Sequence, residues 1–123
     1  MIDHLKLFVG DLARSRAFYE QALAPLGYGV LLEPAPGVVG LGADHPDLWL
    51  QPVEPGRAPT TCHLCLRAAS RELVDAFHRA ALAAGGSDNG GPGLRPQYHP
   101  TYYGAFVHDP DGNNLEAVCH GPA

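Results

Sequence analysis

The sequence predicts an α+β fold made of two tandem βαβββ modules in a single domain. The first observation is an internal repeat: when His4 is aligned with His63, nine of the 24 positions up to Gly27 and Gly86 are identical. Such a repeat indicates a fold built from two copies of one unit. The second observation is that both copies show the same succession of strand and helix patterns. The domain covers residues 1–123, with modules at about 1–55 and 60–123.

The first module opens with a β-strand pattern over residues 3–9. Asp11 then offers a helix N-cap, and apolar residues recur at helical spacing until Gly27, a residue suited to a helix C-terminus. Segments with β-like composition follow, separated by proline and glycine turns. These three predicted strands cover about residues 28–33, 37–42 and 47–53.

A proline-rich linker, residues 54–59, leads to the second module. Its first strand is predicted over 61–68, and Ser70 caps a helix that ends at a glycine pair. The glycine-rich residues 87–93 are interpreted as a flexible connector, because they lack the Lys-Ser/Thr of a phosphate-binding loop and follow a helix. The remaining strands are predicted at about 94–98, 102–108 and 113–119, the last two joined by a type I turn at 109–112.

Composition excludes several classes of function. The chain has 46% hydrophobic and 17% charged residues, as ordinary globular proteins do. Its formal charge of −5 and the lack of a basic stripe argue against nucleic-acid binding. No apolar run approaches the ~20 residues that span a bilayer, and the first residues do not resemble a signal peptide. We therefore expect a cytoplasmic protein that acts on a small molecule, without nucleic-acid or membrane partners.

Three cysteines leave a structural zinc site as one alternative. Cys62, His63 and Cys65 could bind zinc together with Cys119 and His120. In a strand, however, Cys62 and Cys65 point to opposite faces, because side chains alternate. We therefore interpret the cysteines as free thiols, which are too few and odd in number for a disulfide scaffold.

His4 and His63 occupy equivalent positions on the first strand of each module. A single histidine on such a strand is more often a packed or surface residue, but a pair at equivalent positions is a candidate for metal binding. A site with two imidazoles also needs a carboxylate. Glu116, among apolar residues of the last predicted strand, is costly to bury unless it is paired or bound to a cation. The alternative for Glu116 is an outward-facing, solvated side chain.

Two motifs at opposite ends of the chain resemble those of the vicinal oxygen chelate superfamily. One is Asp-His-Leu at 3–5, followed by Val-Gly-Asp-Leu-Ala-Arg-Ser at 9–15 and Phe-Tyr at 18–19. The other is Gly-Ala-Phe-Val-His-Asp-Pro-Asp-Gly-Asn-Asn-Leu-Glu at 104–116. The superfamily includes glyoxalase I, extradiol dioxygenases, fosfomycin-resistance enzymes and bleomycin-resistance proteins.

The resemblance implies a fold, a cofactor and a set of ligands. The fold is the glyoxalase-like one, in which paired modules form a cupped mixed sheet around a divalent metal ion such as Zn, Ni, Mn or Fe. The ligands it implies are His4, His63 and Glu116. The metal would bind two vicinal oxygens of a substrate and act as a Lewis acid. Small members of the superfamily usually pair, so the resemblance also implies a homodimer.

Two departures from the superfamily's patterns narrow the expected activity. Glyoxalase I has a fourth ligand, a glutamate on the last strand of the first module, where this chain offers Gln51 as a neutral candidate metal ligand. Extradiol dioxygenases carry a catalytic tyrosine where this chain has Phe106. We therefore expect lyase, isomerase or transferase chemistry, and neither a typical glyoxalase I nor an extradiol dioxygenase. The alternative function is metal-free sequestration of a small molecule, as in the bleomycin-resistance branch.

A polar and aromatic segment, residues 95–103, precedes a strand expected to line the cup. Its side chains could orient an anionic or oxygen-rich ligand and transfer protons. The alternative is a proline-braced loop that covers the sheet edge, and for Trp49 the alternative is a core position. The candidate catalytic residues are His99 and Tyr102. The candidate substrate-binding residues are Arg95, Tyr103, Trp49 and Phe106.

Overall fold

The computed structural model describes residues 1–123 as two four-stranded mixed sheets and two α-helices, which confirms the predicted α+β fold. In the first module the elements are β1 (Leu5–Val9), α1 (Leu12–Leu23), a short 3-10 helix (Ala24–Leu26), β2 (Gly29–Ala35), β3 (Val38–Gly42) and β4 (Pro46–Pro52). In the second they are β5 (His63–Arg67), α2 (Arg71–Ala83), β6 (Ser87–Leu94), β7 (Tyr103–His108) and β8 (Asn114–Cys119). Each module is therefore βαβββ.

The two sheets have the same topology. The strand order is β1-β4-β3-β2 in the first sheet and β5-β8-β7-β6 in the second. The first and last strands of each module pair in parallel, and the other pairs are antiparallel. His4 directly precedes β1, and His63 is the first residue of β5. Both strands lie at an edge of their sheet and pair on one side only.

Both helices begin at the predicted caps. The side chain of Asp11 accepts a hydrogen bond from the Arg14 amide, and the side chain of Ser70 accepts one from the Leu73 amide. These bonds satisfy backbone donors that have no partner within a helix. Gly27 adopts φ 86°, the left-handed conformation expected after a helical segment.

The glycine-rich segment is the main error in the predicted elements. Residues 87–94 form β6 rather than a flexible connector, and residues 95–98 form a turn rather than a strand. β6 pairs antiparallel with β7 through an irregular register, and Gly90 has φ 141°, where a side chain would be strained. The strand exists because β7 supplies hydrogen-bond partners, so tertiary pairing overrides the low strand propensity of glycine.

A single hydrophobic core joins the two modules. It contains Leu7 and Val9 from β1, Phe18 from α1 and Phe77 from α2, all fully buried, and the two helices contact each other. Because strand side chains alternate, the opposite face of each sheet carries a different set of residues. We call this second surface the open face of its sheet. The open face of the first sheet includes Lys6 and Phe8 of β1. The open face of the second sheet includes His63, Cys65 and Arg67 of β5.

The helices are short. α1 has 12 residues and α2 has 13, and neither is long and apolar enough to cross a membrane.

Candidate metal and ligand site

Glu116 is a buried carboxylate on the open face of the second sheet. It lies in β8 between Leu115 and Ala117, which belong to the core on the other side, and only 1% of the residue is exposed. His63 Nε2 donates to Glu116 Oε1 at 2.7 Å. The Tyr102 hydroxyl donates to Glu116 Oε2. Both carboxylate oxygens thus have a partner, which offsets the cost of burial.

The parallel pairing of β5 and β8 brings His63 and Glu116 together. In this register His63 pairs with Asn114 and Cys65 pairs with Glu116, so the histidine is one strand and two residues away from the carboxylate. Neighbouring strands lie about 4.8 Å apart, and same-face side chains two residues along are within reach of long side chains. The predicted pair is therefore in contact within one chain.

Gly104 makes room for Tyr102 beside the carboxylate. A Cβ atom on Gly104 would lie 3.3 Å from Glu116 Oε2 and 3.2 Å from Tyr102 Cε1. Both distances are tighter than ordinary van der Waals contact, so a side chain would push the two partners apart. Gly104 was not among the predicted site residues, although a glycine inside a strand signals a close approach of neighbouring groups.

Cys65 also belongs to this group. Desolvation and the adjacent Glu116 carboxylate raise the pKa of the Cys65 thiol to about 12. Desolvation, together with the hydrogen bond to Glu116, likewise raises the pKa of the Tyr102 hydroxyl well above its usual range. Both groups therefore carry their protons at neutral pH, next to an acceptor. The interpretation of Cys65 as a free thiol is confirmed.

Two aromatic residues, Phe106 and Tyr102, lie beside the His63–Glu116 pair. The Phe106 ring centroid is 6.3 Å from that of His63. The Arg95 guanidinium lies 5.4 Å from the Phe106 ring centroid and donates to the carbonyls of Gly91 and Gly93. Arg95 is thus held over Phe106 by its own backbone neighbours, which gives this side of the site a flat, positively charged wall.

Tyr103 and His99 are among the predicted residues that lie outside this group. Tyr103 lies on the helix side of the sheet, where its hydroxyl donates to Asp75 of α2 at 2.7 Å. It therefore does not share the open face with Phe106, because side chains alternate along a strand. The His99 ring is 6.4 Å from that of His120, whose ring is 5.2 Å from that of Tyr102.

His4 lies in a different part of the chain's surface. Its Nδ1 is 2.6 Å from Asp3 Oδ1, and its side chain is 53% exposed. It lines an open cavity of about 510 Å³ on the first sheet. The residues that line this cavity are Asp3, His4, Lys6, Pro34, Val38, His45, Pro46 and Trp49.

Gln51 is engaged by a neighbouring cation. The Lys6 ammonium group donates to Gln51 Oε1 at 3.0 Å. The amide oxygen that was a candidate metal ligand is thus a hydrogen-bond acceptor for Lys6. To bind a metal ion, Gln51 would have to release that contact.

The residues of one chain fit part of a metal site. His63 Nε2 and Glu116 Oε1 are 2.7 Å apart, close to the roughly 3 Å expected between two ligand atoms that each lie about 2.0–2.2 Å from one ion. No group of three or more His, Cys, Asp or Glu side chains in the chain is arranged to hold a metal ion. His4 is therefore not brought to the His63–Glu116 pair within one chain.

Comparisons with known proteins agree with this architecture. A family model described as the Glyoxalase/Bleomycin resistance protein/Dioxygenase superfamily matches residues 1–117. A glyoxalase/bleomycin resistance protein from Albidiferax ferrireducens T118 is 29% identical, with a TM-score of 0.81 and 98% of each chain covered. No curated protein sequence matches the chain.

Two further solved structures extend the comparison. The V278E mutant of glyoxalase I from Zea mays is 26% identical with a TM-score of 0.72, covering 95% of this chain and 45% of the maize chain. Lactoylglutathione lyase from Agrobacterium tumefaciens shares the fold, with 20% identity, a TM-score of 0.69, and 97% and 92% of the two chains covered. With the family model extending over nearly its whole length, the chain belongs to the Glyoxalase/Bleomycin resistance protein/Dioxygenase superfamily.

Proposed function

We propose that this protein is a divalent-metal-dependent enzyme with lyase, isomerase or transferase chemistry on a small substrate that chelates through vicinal oxygens. The observation that carries the proposal is the Glu116 carboxylate, which is buried on an open sheet face and contacts His63 and Tyr102. A buried carboxylate next to an imidazole nitrogen is a usual pair of ligands for a divalent ion.

The third ligand in this proposal is His4 of a second copy. Within one chain, His4 contacts Asp3 and not the His63–Glu116 pair. The two modules share one core through their helix sides, so each open face is left available to another molecule. A homodimer that places the first module of one chain over the second module of its partner would join the three ligands twice, by symmetry.

When bound, the metal would act as a Lewis acid toward two substrate oxygens. The chain's own residues would transfer protons and position the substrate. Tyr102 holds a proton at its hydroxyl, next to Glu116, where it could be given to or taken from a substrate atom. Phe106 and the Arg95 guanidinium would cover the substrate, exclude water and favour negative charge. His99 is a second candidate for proton transfer, placed farther from Glu116 by the intervening His120 ring.

The second candidate function is metal-free binding of a small molecule. It is favoured by the fact that both oxygens of Glu116 already accept hydrogen bonds, from His63 and Tyr102, so the carboxylate is satisfied without a cation. In this case the open faces would form a binding cleft whose histidines do not ligate a metal. The three free cysteines agree with a cytoplasmic location for either function.

Metal analysis separates the two functions. The protein and its His63→Ala and Glu116→Gln variants would be incubated with Mn, Fe, Ni or Zn, freed of excess metal and measured by elemental analysis. The proposal expects one ion per chain in the parent and a large loss in both variants. The matched control is His78→Ala, which removes a histidine of α2 that contacts Asp88. Equal, near-zero metal in parent and variants would favour the binding protein.

Complementation tests whether the site is shared between chains. A His4→Ala chain and a Glu116→Gln chain, with different affinity tags, would each form dimers with two defective sites. In the mixed dimer, one site would combine His4 of one chain with His63 and Glu116 of the other and would be intact. We expect one ion per mixed dimer and almost none in either parent variant. Metal-free mixed dimers would show that the ligands come from one chain.

A further inference from the structure

We propose that Lys6 selects the ligand of this site, and that the ligand is a small planar molecule with a carboxylate or similar anionic group. This inference rests on the proposed function, in which two vicinal oxygens of the ligand bind the metal ion held by His4. The anionic group of the ligand would then lie beside those oxygens. The observation behind it is a positioned cation in the same cavity as His4, on the open face of the first sheet.

Lys6 and His4 face the same cavity from one segment of chain. Two residues of extended chain span about 7 Å, so the ammonium group can reach a ligand atom several ångströms from the histidine. Lys6 Nζ is 3.0 Å from Gln51 Oε1 and 5.9 Å from the Phe8 ring centroid. Both neighbours hold the otherwise flexible side chain along the sheet.

The Lys6 charge is available to a ligand. An ammonium group has three donors, and Gln51 accepts from one of them, which leaves two for another acceptor. No carboxylate forms an ion pair with Lys6. The one carboxylate that lines the cavity, Asp3, contacts His4 instead. An anionic group would therefore find an uncompensated cation at this position.

Trp49 makes the cavity suited to a flat ligand. It pairs with Lys6 across β1 and β4, and it also pairs with Gly40 across β3 and β4. A Cβ atom on Gly40 would lie 2.7 Å from Trp49 Cζ3, so the indole ring lies against the glycine backbone. The ring thus forms a flat wall of the cavity on the strand next to Lys6. Planar molecules stack well on such a surface.

The test uses two probes that differ in charge: 3,4-dihydroxybenzoate and its neutral amide, 3,4-dihydroxybenzamide. Both carry vicinal oxygens on a planar ring. Trp49 is the chain's only tryptophan and lines the cavity, so its fluorescence reports binding there. Dissociation constants would be measured for the parent, Lys6→Met and Lys6→Arg, each with and without Zn²⁺. Lys6→Met removes the charge and keeps the length of the side chain, and Lys6→Arg keeps the charge.

We expect the parent to bind the acid about tenfold more tightly than the amide, as a charge-assisted hydrogen bond implies. In Lys6→Met the two constants should agree within about twofold, mainly because the acid binds less tightly, and Lys6→Arg should retain the preference. A preference that survives in Lys6→Met, or the absence of binding by both probes, would overturn the inference. If the preference depends on Lys6 but Zn²⁺ affects neither probe, charge recognition stands and the metal-dependent function fails.

Discussion

The Tyr19 hydroxyl donates to Asp109 Oδ2 at 2.6 Å, and this hydrogen bond connects helix α1 of the first module to the β7–β8 turn of the second. Tyr19 is fully buried and Asp109 is 5% exposed. Asp109 also accepts hydrogen bonds from the backbone amides of Asp111 and Asn113 and from the Asn113 side chain. A buried carboxylate with four donors thus joins the two halves of the repeat.

Replacement of Tyr19 by phenylalanine should lower the free energy of unfolding by about 1.5–3 kcal/mol, the range for a hydrogen bond to a charged group. The Asp109 carboxylate would lose one of its four donors without a new cavity of any size. Urea unfolding at pH 7 measures the effect. Tyr28→Phe is the matched control: it removes a similar bond, to Asp47, at a part-buried site within the first module. An equal or larger loss in the control would contradict a special role for the bond between modules.

Because of the Tyr19 hydroxyl, we expect the free energy of unfolding to fall at alkaline pH. Burial, and then the Asp109 charge, raise the pKa of Tyr19 well above 10. Because the folded pKa is higher than the unfolded one, the stabilisation is fully present below pH 10 and is lost as the pH rises further. Unfolding followed from pH 8 to about pH 11 should therefore show a falling stability that is weaker in Tyr19→Phe. Parallel curves for both proteins would contradict the prediction.

Substitution of Gly104 by alanine should separate Tyr102 from Glu116 while the fold is retained. The added methyl group would contact both partners at 3.2–3.3 Å, so one of them must move. We expect a loss of metal affinity of about tenfold or more, the usual scale for disturbing a group that orients a metal ligand. Gly29→Ala is the control, because no atom lies within 4 Å of the corresponding Cβ position. Unchanged affinity in Gly104→Ala would show that the Tyr102 contact does not support the site.

Asn113 positions the start of the strand that carries His63. Its side-chain oxygen accepts from the Cys62 amide at 2.7 Å, and its side-chain nitrogen donates to Asp109 at 3.0 Å. Asn113→Ala should cost about 1–3 kcal/mol in unfolding, because a buried amide is left unpaired. Metal affinity, measured at a temperature where the variant is fully folded, should fall as well. Asn89→Ala, at an exposed site in β6, should change neither quantity.

The stability of the protein should depend on acid pH through Asp88, which lies in β6. The Gly90 amide and the His78 ring, which donate to its carboxylate, lower the pKa of Asp88 below its usual 3.8. A folded pKa below the unfolded one means that the stabilisation is complete above about pH 4 and is lost as the pH falls through the folded pKa. The stability difference between the parent and Asp88→Asn should therefore shrink from pH 5 toward about pH 2. Asp44→Asn, at an exposed turn, controls for the loss of one negative charge.

The local elements were largely predictable because their signals are local. Asp11 and Ser70 cap their helices in both prediction and structure, since each cap involves residues only three positions apart. The segment 87–94 was not predictable in this way. Its strand conformation depends on hydrogen bonds from β7, whose residues pair with it from nine to 21 positions later in the chain, and glycine has little strand preference of its own.

The site was predictable only in part. The motifs make His63 and Glu116 candidate ligands, but their direct contact depends on the parallel pairing of β5 with β8. Adjacent residues of a strand face opposite sides, but the sequence alone did not show which of Tyr102 and Tyr103 faces Glu116. One contacts Glu116 and the other contacts Asp75 of α2, and only the exact start of β7 decides which is which.

The amino-acid sequence alone indicates two βαβββ modules, membership of this superfamily, and two histidines and one glutamate as candidate ligands. These properties depend on residue identity, spacing and repetition, all of which are visible in the sequence. The three-dimensional packing, in contrast, buries Glu116 against His63 and Tyr102 and places His4 with Lys6 and Trp49 in a separate cavity. Those relationships depend on which face of each sheet is covered by the shared core. Helix packing between the modules determines this, through contacts far apart in sequence.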